Sequence, residues 1–179
     1  MEIVLLILVL LAGALIWLYN RLVRQRNIVS AAWADIDVQL QKRHELVPNL
    51  VATVRGYLDH EASVLENTTL ARSGTTDSLA PLAEQETGLS RQLGRLFALA
   101  EDYPELKASE GFAQLHDSLV EIEDHLQYAR RYYNGAVRDM NTLVESFPAN
   151  LLAGPFGFRP AEFFEIELAS QRQAPRVEL

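Results

Sequence analysis

The chain has no cysteine. That excludes disulfides, thiolate nucleophiles and cysteine metal sites, and it fits a reducing compartment. Sustained period-two alternation is absent and β-branched residues are sparse, so no sheet is expected. There is no glycine-rich phosphate loop, no serine elbow and no nucleophile signature. Of the four histidines, His44, His60, His116 and His125, no two lie four apart, and His60-Glu61 lacks the second histidine of a metalloprotease helix. Glu121, Glu123 and Asp124 beside His125 read as a solvated helix face rather than a metal site. No catalytic residue, cofactor or metal is therefore expected. Positive charge is also short. All 16 Lys and Arg but 23 of the 24 acids follow Tyr19, giving that part a formal charge of −7. Such a domain does not suit nucleic acid, and an anionic leaflet would repel it.

What the chain does have is an apolar run. Ile3 to Tyr19, with Leu10 near its centre, reads IVLLILVLLAGALIWLY, without charge or proline. As a helix it is about 26 Å long, at the short end of what crosses a hydrocarbon core. Trp17 and Tyr19 close it, where amphipathic rings favour the headgroup layer, and Arg21, Arg24 and Arg26 follow as a collar. A cleaved signal peptide is the rival reading, since Ala12-Gly13-Ala14 has the spacing of a cleavage site. Against it, Glu2 stands where lysine or arginine would be, and Leu15 to Leu18 continue the run past the cut. The other rival, a buried soluble helix, seldom runs this long without a polar residue. A retained single membrane span is the expectation. The arginines place the N-terminus outside and the C-terminal part in the cytoplasm.

Helical periodicity fills most of the rest. Trp33, Ile36, Leu40, Val47, Leu50, Val54, Tyr57 and Val64 keep one phase, with Arg43, Glu61 and Thr68 at the remaining seam positions. Pro48 falls inside and predicts a kink without a hairpin, because no turn residues surround it. Ser73 to Ser78 reads as a loop, and Asp77 or Ser78 could cap the helix that follows. That helix has its stripe at Leu82, Glu86, Leu89, Leu93, Leu96, Ala100 and Tyr103, and Pro104 ends it. A longer seam runs Phe112, Leu115, Leu119, Ile122, Leu126, Ala129, Tyr133, Ala136, Met140, Leu143, Phe147, alternating steps of three and four. Pro148 stops it. One stripe per helix requires the stripes to face each other. The expected fold is all-α: a transmembrane helix, then an antiparallel up-and-down bundle of three to four long segments. The expected organisation is an anchor at 1–19, a bundle at 20–147, and at 148–179 an irregular apolar segment that packs on the bundle, the membrane or a neighbour. From Ser170 the chain reads as a polar end.

Three stretches point to a family. YNRLVRQRNIVSAAWADIDVQLQKRHELVPNLVATVRGYLDHE (Tyr19 to Glu61), LFALAEDYPELKASEGFAQL (Leu96 to Leu115) and YARRYYNGAVRDMNTLVESFPANLLAGPFGF (Tyr128 to Phe158) closely resemble the LemA family. The resemblance covers nearly the whole chain in order and departs at Ala62 to Leu89. It implies an N-terminal membrane anchor and a helical bundle. It supplies no reaction, because the biochemical role of LemA proteins is generally unassigned; a relative takes part in building a bacterial organelle membrane.

Polar residues on or beside the seams are the remaining candidates: Asp35, Asp37, Arg43, His44 and Asn49 early, and Arg130, Asn134, Arg138, Asp139 and Asn141 late. Buried charge must be paired, so these are expected to form an interhelical network that fixes register. Two functions compete. One is a non-enzymatic membrane module that assembles with copies of itself or with a membrane protein partner. The other is an accessory subunit of a membrane protease or a hydrolase, with Asp35, His44, Arg130 and Asn134 lining a cleft.

Overall fold

The computed structural model describes residues 1–57 and 79–164. Five helices are present among them: α1 (Glu2–Arg55), α2 (Leu79–Ala100), α3 (Pro104–Lys107), α4 (Glu110–Glu145) and α5 (Asn150–Ala153), with no strand. The fold is all-α, as the periodicity requires. Glu61, Val64 and Thr68, the Ser73–Ser78 link with its candidate caps, and the polar end from Ser170 lie outside the described residues.

α1 is one helix of 54 residues, about 81 Å long. Among the described helices it alone is long and apolar enough to cross a membrane, and only 6% of its most apolar stretch is buried. Pro48 lies inside it, and the helix continues to Arg55. The proline removes one backbone donor, while the seam on either side keeps its phase and stays buried at Val47, Leu50, Val51 and Val54.

Two compact units can be distinguished. The first comprises 1–37 and 127–163. Its core joins Leu18 and Leu22 of α1 to Met140, Leu143 and Val144 of α4, and to Ala149, Ala153 and Phe158 beyond it. Gln25 Nε2 donates to the Ala136 carbonyl at 3.2 Å, and the Trp33 and Tyr133 rings meet edge to face at 5.5 Å. Contacts on α4 thus descend as those on α1 rise, so the two run antiparallel here. The described residues after Pro148 form one helical turn, α5, and an irregular stretch to Phe164. Beyond the single turn of α5 it is held by its own buried side chains and by polar contacts from α4. Asn141 donates to the Ala161 carbonyl (3.0 Å) and accepts from the Ala161 amide (2.7 Å), and Tyr133 Oη donates to the Glu162 carbonyl (2.9 Å).

Two seam positions need correction. Phe147 was expected to be buried, but it is 80% exposed. α4 ends at Glu145, so the chain has left helical phase before it reaches Phe147, although the apolar spacing continues. Tyr57 likewise lies past the end of α1 and is exposed.

The second unit comprises 38–57, 79–126 and Phe164 among the described residues. Its core gathers Val47, Leu50, Val51 and Val54 with Leu89, Leu93, Leu96 and Ala100 of α2, and Phe112 and Leu119 of α4. Leu106 of α3 closes it, fully buried, with Pro104 at the start of that turn where a missing N–H costs nothing. Phe97 meets Phe112 and His116 at 6.4 and 4.6 Å between ring centroids.

Candidate functional site

The second unit holds a charge junction inside its core. Arg43 is 3% exposed. Its Nη1 donates to Glu86 Oε2 at 3.3 Å, and its Nη2 donates to Ser90 Oγ at 2.7 Å and faces Glu123 Oε2 at 3.0 Å. The second Glu86 oxygen lies 2.8 Å from His44 Nε2. Local geometry sets this up. Arg43 and His44 are successive residues of α1, whereas Glu86 and Ser90 are one turn apart on α2 and present one face. Glu123 approaches from α4. The planar guanidinium suits such a site, because its fork can hold several acceptors at once. Both Glu86 oxygens and both Arg43 terminal nitrogens are engaged. The junction therefore joins three helices in one register. Its chemistry is that of a tie rather than of an acid or base awaiting substrate.

Of the residues expected in a polar network, the structure brings Arg43 and His44 together on Glu86. Asp35, Asp37 and Asn49 are exposed, and the Asn49 carbonyl accepts from the Thr53 hydroxyl at 2.9 Å. Arg130 and Asn134 are half-buried. Arg138 is exposed and faces its neighbour Asp139 at 3.7 Å. Glu86 was read as a stripe position without a role. Its signal was visible, since it is the one carboxylate in an otherwise apolar stripe of α2. Glu123, read as solvated surface, is only about one-third exposed and reaches inward to Arg43.

The first unit carries the candidate membrane span and the residues that flank it. Ile3 and Leu10 are exposed, as are Arg24 and the rest of the collar. The Arg21 guanidinium lies 5.5 Å from the Trp17 ring centroid, and that of Arg26 lies 5.3 Å from Phe158. Tyr19 packs edge to face on Phe156 and Phe158 at 5.2 and 5.8 Å. Beside this belt opens a groove of about 780 Å³. One end is polar, with Arg21, Gln25, Asp139 and Thr142; the other is apolar, with Leu11, Ala14, Leu15, Phe147 and Leu151.

Comparison with known proteins gives a consistent picture. The model of the LemA family matches residues 32–179. The chain is 27% identical over 181 residues to magnetosome protein MamQ 2 of Paramagnetospirillum magneticum, covering 86% of this chain and 66% of that one. It is 24% identical over 174 residues to magnetosome protein MamQ of Magnetospirillum gryphiswaldense, covering 82% and 64%. It is 26% identical over 138 residues to protein LemA of Metamycoplasma hominis, covering 75% and 63%. The chain thus spans just under two thirds of the length of the curated relatives it matches.

Proposed function

Because the chain belongs to the LemA family, we propose that it is a single-span, non-enzymatic module that organises partners at the bacterial cytoplasmic membrane. The occupants of its helical faces are further copies of itself or an integral membrane protein. The observation that supports this best is α1 itself. Within the first unit the apolar stretch of α1 passes directly into a packed core at Leu18 and Leu22, against Met140, Leu143 and Val144 of α4. The ionic junction fits the same reading, since it spends its charges on register. The magnetosome names of two relatives point the same way, towards proteins of a specialised bacterial membrane. The arginine collar orients the module with its N-terminus outside and its bundle in the cytoplasm.

Two measurements test this. Native mass spectrometry after mild detergent extraction is expected to show more than one copy, or a stoichiometric membrane protein; a strictly monomeric particle overturns the assembly reading. Protease added to inside-out vesicles is expected to cleave the bundle. Changing Arg21, Arg24 and Arg26 to Glu is expected to protect part of the population, and unchanged protection refutes the orientation.

A further inference from the structure

We propose that the groove beside Trp17 holds one phospholipid of the leaflet at the Arg21 end of the span, and that the segment 147–151 dips into that leaflet as a second, shallow membrane contact. This rests on the reading of α1 as a membrane anchor.

The argument is one of depth and polarity. Trp17 with Arg21 stacked beside it marks the headgroup level, where an arginine can keep its charge in water while its stem lies in lipid. Leu11 is six residues deeper, about 9 Å along the helix. Phe147 and Leu151 line the same groove as Leu11, Ala14 and Leu15. The antiparallel register sets their level: Gln25 bonds to Ala136 and Leu18 shares a core with Leu143 and Ala149, so the chain beyond α4 runs towards Leu11–Leu15, on the hydrocarbon side of Trp17. Interfacial elements reach roughly 5–10 Å into the headgroup and acyl boundary, which is the depth found here.

Their exposure agrees. Phe147 is 80% and Leu151 63% exposed on a protein whose other long seams close well. An aromatic ring held so far open in water forgoes the gain of burial; in acyl chains it does not. Leu11 and Leu15 of the groove lining are themselves exposed, as is the adjacent Ile16.

Polarity is graded along the groove as in a lipid molecule. The apolar end accepts acyl chain. The polar end has one cation, Arg21, and one anion, Asp139, in its lining; the Asp139 carboxylate also faces the exposed Arg138 at 3.7 Å, and its second oxygen is left for a headgroup. A guanidinium favours phosphate and a carboxylate favours ammonium. That pairing fits a zwitterionic aminophospholipid better than an anionic one. The volume falls within the roughly 300–1,000 Å³ of small-molecule sites.

The absence of native cysteine makes the test direct, since single cysteines need no prior deletions. Nitroxide labels are placed by Leu10→Cys, Phe147→Cys, Leu151→Cys and Arg138→Cys in the full chain. The variants are reconstituted in vesicles of phosphatidylethanolamine and phosphatidylglycerol. Collision rates with oxygen and with a water-soluble nickel chelate are then compared. Labels at 147 and 151 are expected to resemble the label at 10, with an oxygen-to-nickel ratio several-fold above that at 138. If 147 and 151 resemble 138 while 10 remains lipid-like, the proposal fails and the anchor stands. If 10 is also water-like, the anchor reading fails with it. Dipolar broadening between labels at 147 in different molecules would give the groove to a second copy and overturn the proposal. Native mass spectrometry of the unlabelled protein is expected to show one retained phosphatidylethanolamine. Ala14→Trp should remove it and Asp139→Asn should shift retention towards phosphatidylglycerol. Retention indifferent to both substitutions overturns the lipid site.

Discussion

At the scale of the residue, Arg43 has the most to lose. Its charge is neutralised by Glu86 inside the core and by Glu123 at the edge, and a buried ion stripped of its partner is costly. Arg43→Met leaves the Glu86 carboxylate buried with the His44 ring, 2.8 Å away, as its neighbour. The expected loss is about 3–5 kcal/mol. The double variant with Glu86→Leu is expected to recover most of it, because replacing both ions with apolar groups is often neutral. Denaturation of the four members of this cycle in detergent measures the coupling. Tyr133 gives a pH prediction. Burial raises its phenol above the ordinary value of 10.0, and the nearby Glu162 carboxylate raises it further. Below that ordinary value both folded and unfolded phenols hold their proton, and this group contributes no pH dependence. Above it the unfolded chain ionises first, so stability falls as pH rises through the elevated folded value. Tyr133→Phe is expected to lose about 1 kcal/mol at neutral pH with its hydrogen bond to Glu162, and to flatten the alkaline limb. An unchanged limb would mean that another group controls it.

At the scale of the element, α2 offers a test without loss of contacts. Gly94 is exposed in its interior, and a Cβ added there would meet nothing within 4 Å. Gly94→Ala is expected to stabilise by about 0.5–1 kcal/mol, because alanine restricts the unfolded chain and suits the helix. Thermal melting of the variant checks it, and no gain would show α2 to be frayed there. The elements were also the most readable level. The apolar run to Tyr19 has no polar break, so its helical state follows from the demand that lipid makes on backbone groups. The α4 seam keeps its phase from Phe112 to Leu143, and the described core follows it. It misled at Phe147, because apolar spacing can outlast the helix that gives it meaning. Pro48 was readable as an interruption without a turn, since no glycine or polar cluster accompanies it.

At the scale of the whole molecule, less could be read. The division at Asp37 and Gln127 leaves no trace in the seams, which pass both points without a change of phase. Pairings between helices were equally hidden. Glu86 stands out in its stripe, but nothing local names Arg43 as its partner 43 residues away. Asn141 was noted beside a seam; its match to Ala161 depends on the path of an irregular segment, which periodicity does not encode. The groove beside Trp17 was hidden for the same reason, because one wall belongs to α1 and the other to residues more than 110 positions later.

The clamp on that irregular segment has an evolutionary consequence. The hydrogen bonds from Asn141 and Tyr133 to Ala161 and Glu162 reach only main-chain atoms. A peptide group is the same whatever side chain it bears. Drift at 161 and 162 is therefore cheap, provided proline does not take the place of Ala161, whereas 133 and 141 have little freedom. A saturation library read out by folding should be permissive at the first pair and restrictive at the second.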